Sequence, residues 1–481
     1  MNPTYSTAQH ALLEQLRELV GAAHVLTHED PGTDLTAWEL DWRRRERGRA
    51  LAVVRPANTQ EVAAVVKACA ASGTSIVPQG GNTGMVVGST PNDSGTQVVL
   101  SLTRMNQVRK LDPGNLTITV DAGCVLQNLQ EVCEKQGFLF PLSLASEGSC
   151  TIGGNLGTNA GGTQVVRFGN TRELCLGLEV VTAQGEIWDG LTGLRKDNTG
   201  YDLRHLFIGS EGTLGVITGA TMKLYPLPVS QLTAFAAVPS LHAAVELLGL
   251  AHQTISSGLT GFEVMGQFAL SLVVKHFPQQ RVPFWQDSPY CVVLENSDNE
   301  SEEHARAQFE RLLEAAMEAG CVTDAVVAES VAQARALWHI RESIPLAQAQ
   351  EGLNIKHDIS INVSRIPEFV DLCNAKLLLA FPGARLVTYG HLGDGNLHYN
   401  VQAPEGQDQE KFLVEQEGPM NALVYDIVDA FNGSISAEHG IGSLKADKLA
   451  HHKSPVALGL MRAIKTALDP HNLMNPGKVL T

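Results

Sequence analysis

The sequence GSCTIGGNLGTNAGG, residues 148 to 162, carries the clearest information about the fold of this chain. It contains six glycines in fifteen residues, and the residues between them are almost all small or polar. Such a stretch lacks bulky side chains, yet it does not have the composition of a disordered segment. We therefore predict that a flat, polar molecule lies against this backbone, and a dinucleotide is the economical interpretation.

A second glycine cluster, PQGGNTGM at residues 78 to 85, directly follows the predicted strand SIVP. Free backbone N–H groups in such a turn can point at an anion, although one cluster alone is equally compatible with a simple tight turn. The two clusters together favour phosphate binding. The sequence has neither the GxGxxG motif of nicotinamide-binding Rossmann folds nor a GxxxxGK phosphate loop, which indicates a different dinucleotide fold.

The segments around the glycine clusters predict alternating strands and helices. LAVVRP (51 to 56) is typical of a strand, and Asn58 with Glu61 gives a helix-capping signal for a helix that stops before Gly73. Residues 176 to 190 predict a hairpin that turns at Gln184-Gly185. This part of the chain therefore begins as a βαβ unit.

The composition changes after Leu224, where PLPVSQLTAF forms a proline-bearing connector. We place a first domain at residues 1–225, completed by the C-terminal tail 455–481, and a second domain at 226–454. Helices are predicted in the second domain at 240 to 252, 301 to 319 and 328 to 350.

The second domain contains VTYGHLGDGNLHYN, residues 387 to 400, with a histidine on each side of Asp394-Gly395. Asp-Gly favours a two-residue hairpin turn, because both central positions of that turn need positive φ. This turn would place His391 directly opposite His398, with their Cβ atoms about 5 Å apart on one face of the hairpin. That spacing suits one shared metal ion, although a solvated cross-strand pair is the simpler alternative.

The same register places Tyr389 opposite Asn400, whose amide then lies on the face of His398. A third metal ligand must come from elsewhere in the chain. AEHG, residues 437 to 440, offers Glu438 as a carboxylate ligand and His439 as a base.

Arg341 and Lys356 are cationic residues that could bind a carboxylate substrate in this acidic protein. The simpler alternative for each is an ion pair with a neighbouring acid. Arg341 lies in the predicted helix LWHIRESIPLAQAQ, and Lys356 lies in NIKHDISINV, which predicts a strand.

Composition excludes several classes of protein. Thirty-five basic and 51 acidic residues give a net charge of −16, which argues against nucleic acid as a partner. The eight cysteines form no CxxC pair, which favours a reducing compartment. The N-terminus lacks signal-peptide features, and no run approaches the roughly 18 apolar residues that span a bilayer. We therefore expect no integral membrane segment, and a cytoplasmic location or, in a eukaryote, the mitochondrial matrix.

Six motifs together resemble one known family: PQGGNTGM, GSCTIGGNLGTNAGG, LRKDNTGYDLRHLFIGSEGTLGVIT, GHLGDGNLHYNV, SAEHGIG and LDPHNLMNPGKV. They look like the FAD-linked D-2-hydroxyacid dehydrogenases of the vanillyl-alcohol oxidase, or PCMH-type, fold, such as the D-2-hydroxyglutarate and D-lactate dehydrogenases. The match runs in register from about residue 50 to 480. Six motifs in order are far more specific than any one of them.

The resemblance implies an α+β fold with a PCMH-type FAD-binding domain of two α+β subdomains, an α+β substrate-binding cap, and a C-terminal tail that returns to the FAD domain. FAD is expected to be non-covalent, because the first glycine loop has no histidine to attach it. The resemblance implies that FAD contacts Pro78, Gly80, Gly81, Asn82, Thr83, Gly84, Gly154, Asn155, Thr158, Asn159, Gly161, Gly162, Ile217 and Asn475.

The resemblance also implies that His391, His398 and Glu438 hold a divalent metal ion, zinc or a similar ion, and that His439 is the catalytic base. Arg341, Lys356 and Asn400 match the residues that hold the substrate carboxylates. Pro345 departs from the pattern of 2-hydroxyglutarate enzymes, which carry a threonine there, so D-lactate and D-malate are alternative substrates.

The implied reaction is metal-assisted oxidation of a D-2-hydroxy acid to the 2-oxo acid, with hydride transfer to N5 of FAD. The expected acceptor of the electrons is an electron-transfer flavoprotein, a quinone or a cytochrome, and a second copy of the chain in a homodimer is a further expected partner. Two other classes remain open, a metallohydrolase and a non-catalytic flavoprotein subunit.

Overall fold

The computed structural model describes residues 5–480, so the first four residues of the N-terminal stretch and Thr481 lie outside the description. Within that range the chain forms two compact units. The first contains the described part of Met1–Ala160, Asn170–Pro226 and of His439–Thr481, and the second contains Gly161–Gly169 and Leu227–Glu438. The predicted domain boundaries near residues 225 and 454 stay a prediction. The second compact unit ends at Glu438.

The strands in chain order are β1 (Val25–Leu26), β2 (Ala50–Val54), β3 (Ile76–Gln79), β4 (Gln97–Ser101), β5 (Val108–Asp112), β6 (Thr117–Asp121), β7 (Phe138–Leu139), β8 (Cys175–Thr182), β9 (Ile187–Gly190), β10 (Gly215–Lys223), β11 (Tyr225–Pro226), β12 (Ser230–Val238), β13 (Leu259–Gly266), β14 (Tyr290–Asp298), β15 (Asp324–Val327), β16 (Asn354–Ile355), β17 (Asp358–Ser360), β18 (Arg385–His391) and β19 (Asn396–Gln402).

The α-helices in chain order are α1 (Thr7–Val20), α2 (Thr36–Glu39), α3 (Thr59–Ser72), α4 (Leu126–Glu134), α5 (Ile152–Thr158), α6 (Val165–Phe168), α7 (Thr171–Leu174), α8 (Arg204–Phe207), α9 (Leu241–Thr254), α10 (Gln267–His276), α11 (Glu302–Glu318), α12 (Val331–Glu351), α13 (Ile366–Ala380), α14 (Gln409–Ala430), α15 (Ala446–His452) and α16 (Pro455–Leu468). Short 3₁₀ helices occur at Ala22–His24, Ser256–Gly258 and Val363–Arg365.

The first unit contains two main sheets, which agrees with the two predicted α+β subdomains. The first sheet has the order β1-β2-β4-β3, and the second has the order β5-β6-β10-β8-β9. Strands β2 and β3 both run parallel to β4, so helix α3 connects two parallel strands of one sheet. The predicted hairpin at residues 176 to 190 is confirmed by the antiparallel pair β8 and β9, with Gly185 at positive φ in its turn.

Local sequence signals account for helix α3. The side chain of Asn58 accepts a hydrogen bond from the Glu61 N–H at 2.9 Å, which satisfies one of the donors left open at a helix start. Gly73 ends the helix in the left-handed conformation with φ 66°. The predicted start and stop of this helix are both confirmed.

The C-terminal tail returns to the first unit, as predicted. The Ile76 N–H donates to the Leu473 carbonyl at 2.8 Å, and the Asn475 N–H donates to the Ile76 carbonyl at 2.7 Å. These two bonds form a parallel bridge between Met474 and Ile76 at the free edge of β3. The tail thereby lies beside the strand that leads into the glycine cluster at residues 78 to 85.

The second unit is built on one large sheet with the order β15-β12-β14-β13-β18-β19-β16, and β17 pairs with the beginning of β19. Apolar side chains on one face of the sheet pack with helices α9, α11, α13 and α14. Those on the other face pack with α10 and α12. The three predicted helices of this domain are confirmed by α9, α11 and α12.

The predicted single strand in NIKHDISINV is wrong, because the structure has two short strands, β16 and β17, with Lys356 and His357 between them. The His357 N–H donates to the side chain of Asn400 at 3.1 Å instead of to a backbone carbonyl of the neighbouring strand. That side-chain bond interrupts the regular ladder with β19.

No helix among residues 5–480 is long and apolar enough to cross a membrane.

Candidate active site

The two glycine clusters of the first unit lie directly against each other. A Cβ atom at Gly80 would lie 2.2 Å from the Thr151 Oγ1, and one at Gly81 would lie 2.0 Å from the Ser149 carbonyl oxygen. A side chain at residue 81 would collide with backbone, and one at residue 80 would collide with the Thr151 side chain, so glycine at both positions lets the two segments approach. The loop after β3 and the start of α5 therefore form one continuous backbone surface.

Other positions in these clusters fit a bound polar group. A Cβ atom at Gly84 or at Gly157 would meet nothing within 4 Å. Asn475 is 1% exposed, and its Nδ2 donates to the carbonyls of Gly88 and Glu211, whereas its Oδ1 has no hydrogen-bond partner among the described residues. A buried acceptor of this kind needs a donor, and a polar cofactor such as FAD would provide one.

Several of the predicted cofactor residues use their side chains to fold the protein itself. Asn82, at φ 52°, donates to the carbonyls of Ala37 and Leu40. Asn159, also at φ 52°, accepts from the Arg172 N–H. Both residues thus adopt the left-handed conformation, which asparagine tolerates better than most residues other than glycine.

The remaining predicted cofactor residues are divided between the two units. Asn155 and Thr158 lie in α5, and Ile217 is buried in β10. Gly161 and Gly162 belong to the second unit, where a Cβ atom at Gly161 would lie 3.2 Å from the Glu438 Oε2. Contacts of all these residues with FAD stay a prediction.

A cavity of about 880 Å³ in the first unit contains none of the predicted site residues. Four of its lining cations already have partners in the protein: Arg172 donates to the Ile208 carbonyl, Arg195 to that of Asn115, Arg204 to that of Cys175, and Lys223 to that of Glu173. Since its cations are engaged, we do not assign this cavity a ligand.

In the second unit, the structure contradicts the predicted pairing of the two histidines. His391 pairs with Asn396, and His398 pairs with Tyr389, so the loop between β18 and β19 has four residues instead of two. The Asp394 side chain accepts from the Asn396 N–H at 3.0 Å, an Asx turn that competes with the tighter hairpin. The register is displaced by two residues, and Val387 rather than Tyr389 lies opposite Asn400.

A displacement by two residues leaves the side chains on the predicted face, because strand side chains alternate with period two. The imidazole rings of His391 and His398 have centroids 5.6 Å apart. The Glu438 Oε1 lies 4.0 Å from the His391 Nε2 and 3.8 Å from the His398 Nε2. Two imidazole nitrogens and one carboxylate oxygen form a donor set that zinc accepts with a coordination position left open.

Asp358 is a residue of this cluster that the sequence did not reveal. It is 2% exposed, lies opposite His398 in the sheet, and can offer a ligand atom within 4.8 Å of those of His398 and Glu438. Its Oδ2 accepts from the Glu438 N–H at 3.1 Å, and its Oδ1 accepts from the Asn396 side chain at 2.9 Å. Asp358 therefore fixes the backbone of Glu438.

Arg341 projects from α12 into the same cluster. Its Nε donates to the Glu263 Oε2 at 2.8 Å, and its guanidinium carbon lies 4.8 Å from the centre of the Tyr389 ring. The other oxygen of Glu263, Oε1, lies 2.6 Å from the His391 Nδ1. Glu263 was not recognised in the sequence, because it lies in the apolar strand β13 without a local motif.

The charges of this group depend on each other. Burial acts to raise the pKa of Glu263, but the positive charges of His391 and Arg341 outweigh it and hold that pKa below its usual value. Burial acts to lower the pKa of His391, but the Glu263 carboxylate outweighs it and raises that pKa to about 9. In the protein alone, His391 and Arg341 are therefore two cations that share one buried carboxylate.

Three predicted site residues remain to be placed: Asn400, Lys356 and His439. The Asn400 Oδ1 accepts from the His357 N–H, and its Nδ2 donates to the Gln348 Oε1 at 3.0 Å. Lys356 lies between β16 and β17. His439 directly follows Glu438, so the predicted base and the predicted metal ligand are consecutive residues.

Comparison with known sequence families defines the class of this protein. Residues 50–190 match the FAD binding domain, and residues 227–479 match the C-terminal domain of FAD linked oxidases. The chain belongs to the FAD-linked oxidases.

Relatives of known name are similar to this chain along nearly its whole length. This chain is 37% identical over 479 residues to the mitochondrial D-2-hydroxyglutarate dehydrogenase of Arabidopsis thaliana, and the aligned region covers 100% of this chain and 83% of the plant protein. It is 39% identical over 446 residues to D-2-hydroxyglutarate dehydrogenase of Xanthomonas citri pv. viticola, with 93% and 92% coverage. The fold is similar to that of p-cresol methylhydroxylase, with a TM-score of 0.75, 16% identity, and coverage of 99% of this chain and 97% of that one. The predicted PCMH-type α+β fold is confirmed.

Proposed function

We propose that this protein is an FAD-dependent dehydrogenase that oxidises a D-2-hydroxy acid to the corresponding 2-oxo acid. One observation carries the proposal: in the second unit the Glu438 Oε1 lies within 4.0 Å of the Nε2 atoms of both His391 and His398, and Glu263 contacts both His391 and the buried Arg341. A site for a cation beside a fixed arginine suits a molecule that carries a hydroxyl group next to a carboxylate.

In this proposal His391, His398 and Glu438 hold a divalent ion, for which zinc suits the donor set. When bound, FAD supplies the acceptor for the Cα hydride, and the metal ion supplies the positive charge that acidifies the substrate hydroxyl. His439 accepts the hydroxyl proton. Arg341, Lys356 and Asn400 hold the carboxylates, and the hydroxyl carbon loses its hydride to FAD as the carbonyl forms.

FAD is proposed to lie along the backbone surface formed by the two glycine clusters of the first unit. The observations that support this are the close approach of Gly80 and Gly81 to residues 149 and 151, the open positions at Gly84 and Gly157, and the buried Oδ1 of Asn475. FAD attachment is proposed to be non-covalent, because the loop QGGNTG has no histidine.

D-2-hydroxyglutarate is the substrate that we propose first, since the relatives of Arabidopsis and Xanthomonas carry that activity in their names. Those names do not favour D-lactate, the alternative raised by Pro345. Pro345 lies inside α12, one helical turn after Arg341, where it offers neither an N–H nor a hydroxyl group to a ligand. D-malate therefore belongs in the test as a shorter dicarboxylate.

The electron acceptor, the compartment and the oligomeric state remain part of the proposal. We propose an electron-transfer flavoprotein, a quinone or a cytochrome as acceptor, and a homodimer as the assembly. The name of the plant relative includes a mitochondrial location. For this chain we propose the cytoplasm or, in a eukaryotic cell, the mitochondrial matrix.

The test is anaerobic reduction of the purified protein by a panel of D- and L-lactate, malate and 2-hydroxyglutarate, with and without a chelator. We expect a yellow protein whose flavin absorbance bleaches fastest with D-2-hydroxyglutarate, and slower bleaching after chelation that added zinc restores. A colourless protein would favour a metallohydrolase. A yellow protein that none of the six acids bleaches would favour a non-catalytic flavoprotein.

A further inference from the structure

Glu263 is a fully buried carboxylate that contacts both His391 and Arg341. It is 0% exposed on β13, with its Oε1 at 2.6 Å from the His391 Nδ1 and its Oε2 at 2.8 Å from the Arg341 Nε. Burial of an isolated carboxylate is unfavourable, so a carboxylate at this depth persists only when it is paired and hydrogen-bonded. Glu263 uses one oxygen for His391 and the other for Arg341.

The contact with His391 selects which ring nitrogen can act as a ligand. Because Nδ1 donates to Glu263, the nitrogen that remains is Nε2, which lies 4.0 Å from the Glu438 Oε1. A carboxylate behind a metal-binding histidine fixes the ring orientation and makes the imidazole a better ligand. Glu263 therefore holds His391 in the orientation that faces Glu438.

The contact with Arg341 fixes the guanidinium group on two sides. Glu263 binds its Nε, and the Tyr389 ring covers its face at 4.8 Å. No hydrogen bond from its two Nη atoms is found within residues 5–480, so the edge that binds a carboxylate in bidentate fashion is not used by the protein itself. Arg341 is thus oriented before a ligand arrives.

We propose that Glu263 is a positioning residue that makes metal affinity and substrate affinity depend on the same carboxylate. This inference rests on the proposed function, since it takes His391 as a metal ligand and Arg341 as a substrate ligand. It adds that the two sites are not independent: the carboxylate that directs His391 toward the metal also directs Arg341 toward the substrate. Loss of this carboxylate should weaken both.

The test compares Glu263→Gln with Glu295→Gln as a matched control. Glu295 lies on the adjacent strand β14 and accepts a hydrogen bond from the Thr260 hydroxyl at 2.7 Å, and it has no contact with His391 or Arg341. Glutamine has the size of glutamate, but it has one acceptor oxygen instead of two, so it cannot accept from both His391 and Arg341 in the observed geometry. Zinc affinity is measured on metal-free protein in chelator buffers, and KM is then measured at saturating zinc with the acid that reduces the wild-type flavin.

We expect Glu263→Gln to weaken zinc binding ten- to a hundredfold, the range typical for loss of an outer-sphere partner of a ligand. At saturating zinc its KM should remain raised about tenfold, because added metal cannot restore the orientation of Arg341. Glu295→Gln should change both quantities less than twofold. Flavin content and melting temperature show whether each variant is folded, and Glu263→Asp replaces Glu263→Gln if that variant fails to fold.

Two results would overturn the inference while leaving the proposed function intact: an unchanged zinc affinity in a folded Glu263 variant, or a KM that returns to the wild-type value once zinc is saturating. Equal changes in zinc affinity and KM in Glu295→Gln would also overturn it, because they would show that replacing a buried glutamate elsewhere in this sheet has the same effect. A wild-type protein that binds no zinc in these buffers would instead contradict the metal site of the proposed function.

Discussion

The glycine clusters of the first unit and the polar cluster of the second unit differ in how the chain forms them. In the first unit, positions such as Gly81 matter because they have no side chain, and each cluster consists of residues that are neighbours in sequence. In the second unit, Glu263, His391 and Glu438 matter through their side chains, and they come from distant parts of the chain. Each glycine cluster is therefore visible as a local motif, whereas the side-chain cluster exists only after the sheet has formed.

The largest effect is expected from removal of the proposed base in His439→Ala. General base catalysis typically contributes a hundred- to ten-thousandfold, so kcat should fall by a factor in that range. The flavin spectrum and the zinc content should remain, because the backbone surface and the metal ligands are unchanged. Stopped-flow flavin reduction measures the loss, and a kcat within threefold of wild type would show that another group accepts the proton.

A pair of substitutions in one loop, Gly81→Ala and Gly84→Ala, tests the backbone surface. Alanine at residue 81 would place its Cβ 2.0 Å from the Ser149 carbonyl oxygen, which should lower the free energy of unfolding by about 3 kcal/mol or more. Alanine at residue 84 meets nothing within 4 Å, so the stability of the FAD-free protein should change little while FAD affinity falls.

Thermal unfolding of the FAD-free proteins and FAD titration separate these two effects. Equal destabilisation by both substitutions would contradict the distinction between glycines that permit backbone contact and glycines that leave room for a cofactor.

The next effect concerns a charge cluster of the second unit that does not take part in the proposed reaction. Glu351 accepts hydrogen bonds from Lys275 at 2.7 Å and from Arg385 at 2.6 Å, and it also contacts His276. Burial acts to raise the pKa of Glu351, but these cations outweigh it and lower the pKa to about 2.

A carboxylate whose pKa is lower in the folded state stabilises the protein above its unfolded pKa, and this contribution disappears as the pH falls through the folded pKa. Glu351 should therefore contribute roughly 3 kcal/mol at neutral pH, lost progressively between about pH 4.5 and pH 2. Glu351→Gln should be less stable at pH 7 and should show a flatter dependence in that window. Urea unfolding at several pH values measures this, and parallel curves for the two proteins would refute it.

The smallest effect is expected from two matched helix caps, one in each unit. Asn58 accepts from the Glu61 N–H at 2.9 Å, and Ser240 accepts from the Ala243 N–H at 3.1 Å. Asn58→Ala and Ser240→Ala should each cost about 1 kcal/mol. Calorimetry shows whether each change lowers the transition of its own unit, and identical shifts of one single transition would mean that the units unfold together.

Local signals explain how much was predictable from the sequence. The capped helix α3, the hairpin β8–β9 and the glycine clusters all follow from residues a few positions apart, whereas the return of the tail was implied by the family resemblance. The prediction that both histidines lie on one face is correct, because strand side chains alternate with period two, but the predicted register is wrong because Asp394 forms an Asx turn. Glu263 lies 128 residues before His391, and Asp358 lies 80 residues before Glu438, so no local pattern connects either pair.

The four-residue loop between β18 and β19 has a consequence for how the length of this hairpin can vary. If His391 and His398 are to stay on one face, the pairing of His391 with Asn396 and the spacing from Asn396 to His398 both have to be kept. A residue inserted within the loop leaves both unchanged, whereas a residue inserted between Asn396 and His398 would turn the second imidazole to the opposite side of the sheet unless a bulge compensates for it. Such a chain would still contain both histidines and would nevertheless lack the site, so the spacing within β19 is a better criterion than loop length for judging distant homologues.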